Sequence, residues 1–208
     1  MKRIYFTAVP LDSNFTIELK PLKPVNFTLN TKISEYAYPI IPVIDATMRE
    51  EDECKVIVVR QTNSPASSNY DLFRSELGAL GLHNLDIVDV TVAENQSTDL
   101  LLGLYRKLLT LTENNACYYA DMTFGSKTLP IILFSVLTYI DRILIDTDIT
   151  GIYYQEILRN AGKIRDAYLY EVSSIFSLNS IAYGLSDAPD GEREKLFNLI
   201  LNPTEELR

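Results

Sequence analysis

The sequence predicts an α/β domain: a Rossmann-like, mainly parallel sheet flanked by helices, with a C-terminal hairpin and further helices. Three observations carry this expectation. Short runs rich in Val, Ile and Tyr alternate with segments of helical periodicity, the pattern of successive strand–helix–strand units. Polar turns such as TNSPASSN and AENQS separate those runs, and Gly78 or Gly81 offers a helix carboxyl end. The chain has 208 residues, 47% hydrophobic and 23% charged, which suits one large domain with a sizeable core.

Taken in order, RIYFTAV (3–9) is the first buried strand, stopped by Pro10. Residues 10–50 carry Pro10, Pro21, Pro24, Pro39 and Pro42, which argues against a long regular helix. FTIELK and NFTLNTK alternate in polarity there and suggest an extra hairpin or an ordered excursion near a site. KVIVVRQ (55–61) is the second strand and leads to the helix NYDLFRSELGALG. LDIVDVTV (85–92) is the third, followed by the amphipathic helix TDLLLGLYRKLLTLT. ACYYADMTF (116–124) is the fourth, and its helix is expected from about Ser126 to Arg142. TGIYYQEI and AYLYEVS are later strands, joined by NAGK as a hairpin. The last stretch reads as two helices, VSSIFSLNSIAYGL and GEREKLFNLILN, parted by SDAPDG. The expected division is a Rossmann-like domain over 1–172. A helical extension over 173–208 either packs on it or leads to a further module.

Several function classes drop out. No apolar run reaches the ~18–20 residues of a membrane span. The longest, LPIILFSVLTYI, ends at Asp141-Arg142, and the amino terminus opens no signal-peptide core. A cytoplasmic protein with no membrane contact is expected. Cys54 and Cys117 form neither a disulfide framework nor a metal spacing, and with His83 as the sole histidine no zinc site is proposed. A net charge of −9 argues against a grip on long nucleic acid, because phosphate neutralisation supplies most of that affinity. It does not argue against a small anion, which one lysine and several backbone amides can hold.

The stretch ADMTFGSKTLPI (120–131) offers such a site. In an open parallel sheet, ligands bind where the carboxyl ends of strands lead into helix starts. Four loops rich in small polar residues fall there: VPLDSN, QTNS, ENQS and DMTFGSK. Gly125 lets the backbone turn tightly, and Ser126, Lys127 and Thr128 stand at the helix start, where free amides and the dipole favour an anion. Pro130 is tolerated in a first turn. Asp121 would repel an anion, so it is expected to orient the turn through backbone bonds. The residues alone equally admit plain capping chemistry. A Walker loop fits less well, since its first glycine position falls on Ala120, and no G-x-G-x-x-G or G-x-S-x-G occurs. Tyr153 and Tyr154 read as core or dimer residues, with base stacking as the alternative.

DMTFGSKTLPIILFSVLTYI followed by ITGIYYQEI resembles the signature of the CRISPR-associated Rossmann-fold (CARF) domains. These carry a D-x-T-x-G-x-[KR] turn between the fourth strand and its helix. One branch adds a proline soon after, here Pro130, and an Ile-Tyr-Tyr strand, here Ile152-Tyr153-Tyr154. The resemblance covers most of the chain in outline and is specific over 118–157. It implies a sensor of cyclic oligoadenylates, the second messengers of type III CRISPR defence, working as a homodimer with cyclic tetra-adenylate or cyclic hexa-adenylate across its two-fold axis. No other cofactor and no metal is implied. By position, Thr123, Gly125, Ser126 and Lys127 match the family's phosphate- and ribose-binding turn. Pro10, Leu11, Asp12 and Asn14 after the first strand, and Thr62, Asn63 and Ser64 after the second, fall in regions that line the family's pocket. Gln96, Phe124 and Thr128 complete the candidate ligand-binding set. No effector motif accompanies the sensor, so an effector controlled allosterically is expected outside these residues. The alternative is a stand-alone, metal-independent ring nuclease, in which a ribose 2′-hydroxyl attacks its own phosphate and Lys127 and Ser126 serve the reaction. A third reading is a P-loop-like fold that binds ATP with magnesium.

Overall fold

A computed structural model of the chain describes residues 1–10, 18–62, 64–161, 163–189 and 191–201, with the side chains of 64–67 and 163 left aside. The chain divides into two compact units, Met1–Val172 and Ser173–Arg208.

The first unit is built on a seven-stranded sheet in the order β3–β9–β8–β7–β1–β5–β6. Its strands are β1 (Lys2–Ala8), β3 (Pro24–Val25), β5 (Glu53–Gln61), β6 (Leu85–Val92), β7 (Ala116–Asp121), β8 (Asp148–Asn160) and β9 (Lys163–Glu171). β1, β5, β6, β7 and β8 run parallel. β9 returns antiparallel to β8, and β3 extends the edge parallel to β9. The chain moves from β1 outward through β5 to β6, then crosses back to β7 on the other side. The strand order therefore reverses between β1 and β7, and the ligand crevice of such a sheet opens above that point.

Helices α1 (Ile40–Thr47), α2 (Ser64–Gly78), α3 (Thr98–Leu109) and α4 (Leu129–Ile143) flank the sheet. The mainly parallel, helix-flanked sheet expected from the sequence is therefore the fold observed. On α4, Leu129, Leu133, Val136, Leu137 and Ile140 are buried, the i, i+4, i+7 spacing of one helical face. Aromatic rings fill the central layer: Tyr5 stacks on Tyr119 with centroids 4.7 Å apart, and Phe6 on Tyr118 at 6.1 Å. The amino-terminal edge of the sheet is pinned by charge. Arg3 bonds Asp52 and the Tyr119 hydroxyl, while Lys2 and Lys55 share Glu113. At the carboxyl ends of the strands, Arg60 near the end of β5 pairs with Asp89 of β6.

Three boundaries differ from the sequence reading. β7 ends at Asp121 rather than Phe124, because the Asp121 carboxylate accepts the Thr123 amide and folds the chain out of the strand. α4 begins at Leu129 rather than Ser126, since a tighter turn, with Leu129 N–H donating to the Ser126 carbonyl at 3.0 Å, comes first. In the proline-rich excursion NFTLNTK forms no strand, and residues 15–17 of FTIELK lie outside the described residues. Instead β2 (Lys20–Pro21) pairs antiparallel with β4 (Glu35–Tyr36), β3 joins the main sheet, and α1 forms with Pro39 at its cap and Pro42 in its first turn, where proline is tolerated. The β8–β9 hairpin is as expected. Tyr153 is buried in it, against Phe27, and Tyr154 lies on its exposed side.

The second unit contains α5 (Ser173–Gly184), a single 3₁₀ turn and α6 (Arg193–Leu201). No described helix in either unit is long and apolar enough to cross a membrane.

Candidate functional site

The turn that follows β7 is fixed from below. The Asp121 side chain is fully buried, and its two oxygens accept the Thr7 hydroxyl at 3.0 Å and the Thr123 amide at 2.9 Å. Burial pushes its carboxyl up to about 6, against the opposing pull of those bonds and of Lys20. Asp121 therefore orients the turn and is screened from any ligand above it. The Thr123 hydroxyl in turn accepts the Gln155 amide of β8 at 2.9 Å. Gly125 then takes φ +102, and a Cβ built there would stand 2.5 Å from Leu129 Cδ2 and 3.3 Å from Ala8 Cβ. Glycine alone satisfies both the angle and the space.

A second buried layer lies beneath. Lys20, delivered by β2, is 1% exposed, and its Nζ donates to the Ala37 carbonyl at 2.8 Å and the Glu18 carbonyl at 3.1 Å. Burial pushes its ammonium down to about 8. The Tyr36 hydroxyl from β4 takes a hydrogen bond from Gln155 Nε2, and Glu76 of α2 accepts the Ala37 and Tyr38 amides. The proline-rich excursion is thus structural support for the turn, clamped from three sides.

Above this scaffold Ser126, Lys127 and Thr128 lead into α4. Lys127 is exposed and forms no ion pair with any described residue, so its charge is available. The Ser126 and Thr128 hydroxyls lie 3.0 Å apart, and Thr128 donates to Gln96 Oε1 at 2.7 Å. That chain links the loop after β6 to the turn after β7. Beside it opens a cavity of about 210 Å³, walled by Val59, Val92, Leu100, Leu104 and Leu129 and rimmed by Gln61, Thr91, Gln96 and Ser126. Arg60 also reaches this cavity. Its guanidinium is held in a fork by Asp89 at 2.7–3.0 Å and lies over the Tyr70 ring.

The sequence-predicted residues sort accordingly. Gly125, Ser126 and Gln96 meet at the cavity, with Thr128 bonded across its mouth and Lys127 beside it. Thr123 and Phe124 face the scaffold: the first serves Gln155, and the second is 7% exposed with its ring edge-on to Tyr38. Pro10 is buried, its carbonyl taking Asn69 Nδ2 at 2.9 Å. Exposed Thr62 extends the β5–β6 pairing through its amide, donating to the Val92 carbonyl. Leu11, Asp12, Asn14 and Asn63 lie outside the described residues, as does the Ser64 side chain. Gln61 was read only as part of the QTNS loop, and Thr91 and Lys20 went unread in the sequence. The first two are the polar ends of apolar strands, a weak but usable cue. Lys20 is one lysine in an alternating stretch, which signals nothing by itself.

Fold and site together define a Rossmann-like α/β domain with a glycine turn at its switch point, presenting helix-start amides, two hydroxyls and a lysine that pairs with no described residue. No protein-family model and no curated protein matches the sequence.

Proposed function

We propose that this chain is a receptor for cyclic oligoadenylate, the CARF-type sensor domain of a type III CRISPR ancillary protein. The observation that carries the reading is the turn itself. Gly125 is held open by its backbone angle, Asp121 is withdrawn beneath it, and Lys127, which pairs with no described residue, stands at the start of α4. Such a turn suits phosphate oxygens, which accept from amides and pair with a lysine. A protein of net charge −9 favours a small anion of this kind over a long polyanion.

The ligand is cyclic tetra-adenylate or cyclic hexa-adenylate, bound across a homodimer so that two copies of the turn meet a symmetric ring. Ile131, 67% exposed two residues into α4, is an apolar side chain that a second copy would cover. Binding shifts the population of arrangements of an effector lying outside these residues. No metal or further cofactor is required.

Isothermal titration with both rings tests the reading, with chromatography of the ligand afterwards. One ring bound per two chains, intact, is the expected result. A linear product ending in a 2′,3′-cyclic phosphate would make the protein a ring nuclease. Binding of ATP in place of either ring, lost on adding a chelator, would overturn the reading.

A further inference from the structure

We propose that β6 is an interface strand, pairing antiparallel with β6 of a second copy of this chain so that two sheets join edge to edge. The proposal is independent of what the turn after β7 binds.

The two edges of the sheet are built differently. At one, β3 is two residues long and contains Pro24, features that blunt a sheet edge against further pairing. At the other, β6 runs for eight residues without proline, glycine, lysine or arginine, and Ile87, Val88, Val90, Thr91 and Val92 are β-branched. Among the described residues β5 is its sole strand partner. On that side the Asn84 and Val92 carbonyls accept the Cys54 and Thr62 amides. Backbone groups alternate sides along a strand, so in the unbroken β5–β6 register Asp86, Val88 and Val90 also face β5. Leu85, Ile87, Asp89 and Thr91 therefore point their N–H and C=O groups away from the sheet, where no described residue takes them.

This strand is complementary to itself. With Val88 on a two-fold axis, Leu85 meets Thr91 of the second copy and Ile87 meets Asp89 of the second copy. All four outward residues then exchange bonds, about eight in total. Asp86 falls opposite Val90 of the second copy, so no two acids oppose each other. Asp89 is already held by the Arg60 fork. Moving the centre to Asp89 would set that acid against its own copy, which is unfavourable. Moving it to Ile87 would leave Thr91 beyond the end of the paired strand. Such self-complementarity selects a second copy over an unrelated peptide. Because the paired strands run in opposite directions, the carboxyl edges of the two sheets point apart. The interface therefore differs from a homodimer that shares a ring between its turns, and it leaves both turns open.

The test uses the full chain. Light scattering over a concentration series should give a wild-type mass that reaches twice that of Ile87→Pro. The Ile87 N–H faces away from β5, so this proline removes no bond within the chain. A ring-linked homodimer would double both masses alike, so the two readings fail separately. Disulfide trapping reads the register, in Cys117→Ser protein whose remaining Cys54 is buried. Val88→Cys should crosslink to its own copy, because residues opposed in this way have Cα atoms about 4.5 Å apart. Asp86→Cys is more exposed but would lie about 13 Å along the strand from its own copy, and should crosslink at least fivefold less. Equal masses for wild type and a folded Ile87→Pro would overturn the pairing. So would the absence of a crosslink from Val88→Cys, or one no stronger than that from Asp86→Cys, and this second measurement decides alone where the proline variant does not fold.

Discussion

The Thr7 hydroxyl donates to the Asp121 carboxylate at 3.0 Å, and this one bond joins the ends of the two strands between which the strand order reverses. It places a fully buried acid directly beneath the turn that opens the crevice. Stability should therefore depend on pH through Asp121. Burial is the main cause of its raised carboxyl, about 6 against 3.8. A carboxyl raised by folding holds its proton more tightly in the native state than in the unfolded chain. Native stability from this group is thus greatest below about pH 4 and falls as pH rises through 6, by at most about 3 kcal/mol. Asp121→Asn keeps an oxygen for the Thr123 amide, and its NH₂ can donate to the Thr7 hydroxyl. Urea unfolding from pH 4 to 7.5 should show the falling limb in the wild type and a flatter profile in the variant, with stability at pH 7.5 within about 1 kcal/mol of wild type. An equally steep fall in Asp121→Asn would assign the slope to other groups.

Lys20 should give a slope of the opposite sign at higher pH. Its ammonium is pushed down to about 8 by burial, from 10.5 in an exposed chain. Between those values the unfolded chain binds more protons than the folded one, so stability from this group rises with pH from about 8 to 10.5. Lys20→Met removes the titration and leaves the Glu18 and Ala37 carbonyls without their donor. The variant should be less stable than wild type at pH 10, where the wild-type amine is neutral and still bonded. Around pH 7 the difference should shrink, because the wild type then carries a buried charge. A constant difference across this range would mean that Lys20 keeps the same charge in both states.

Gly125→Ala should destabilise the fold by about 2 kcal/mol. Space is one cause, since Leu129 is 2% exposed and has little room to retreat from a Cβ that would stand 2.5 Å away. The φ of +102 is the other, because it disfavours any side chain. Thermal unfolding measures the sum. Gly103→Ala is the control: the same substitution on an open helical site should be neutral or stabilising.

The legible parts of the molecule share a physical reason. Strands such as β1 and β5 are near-continuous apolar runs, which only a buried strand or a short buried helix produces. The turn was legible as a turn because Gly125, Ser126, Lys127 and Thr128 part a buried strand from an apolar helix, a pattern that anion binding and plain capping share. The segment from Glu18 to Met48 was not legible, because its strands are two residues each and are fixed by Lys20 and Tyr36 rather than by periodicity. The cavity was hidden for another reason. Val59, Val92 and Leu104 come from three separate elements, and each reads in its own segment as ordinary core. Only the fold shows that together they line an opening.

Lys127 gives the sharpest separation of binding from folding. It is exposed and pairs with no described residue, so Lys127→Ala should leave the midpoint of unfolding within about 0.5 kcal/mol of wild type. In the proposed receptor, however, it supplies the full charge of the cradle, and charge-assisted contacts to an anion are worth about 1.5–3 kcal/mol each. Affinity for the cyclic adenylate that binds wild type should fall at least tenfold. Because surface charge is screened by salt, the wild-type affinity should also weaken as ionic strength rises, and Lys127→Ala should show a shallower dependence. Calorimetric titration of both proteins at two salt concentrations reads all of this. Unchanged affinity in the variant, with the fold intact, would remove the Gly125–Thr128 turn as the place where the phosphate sits.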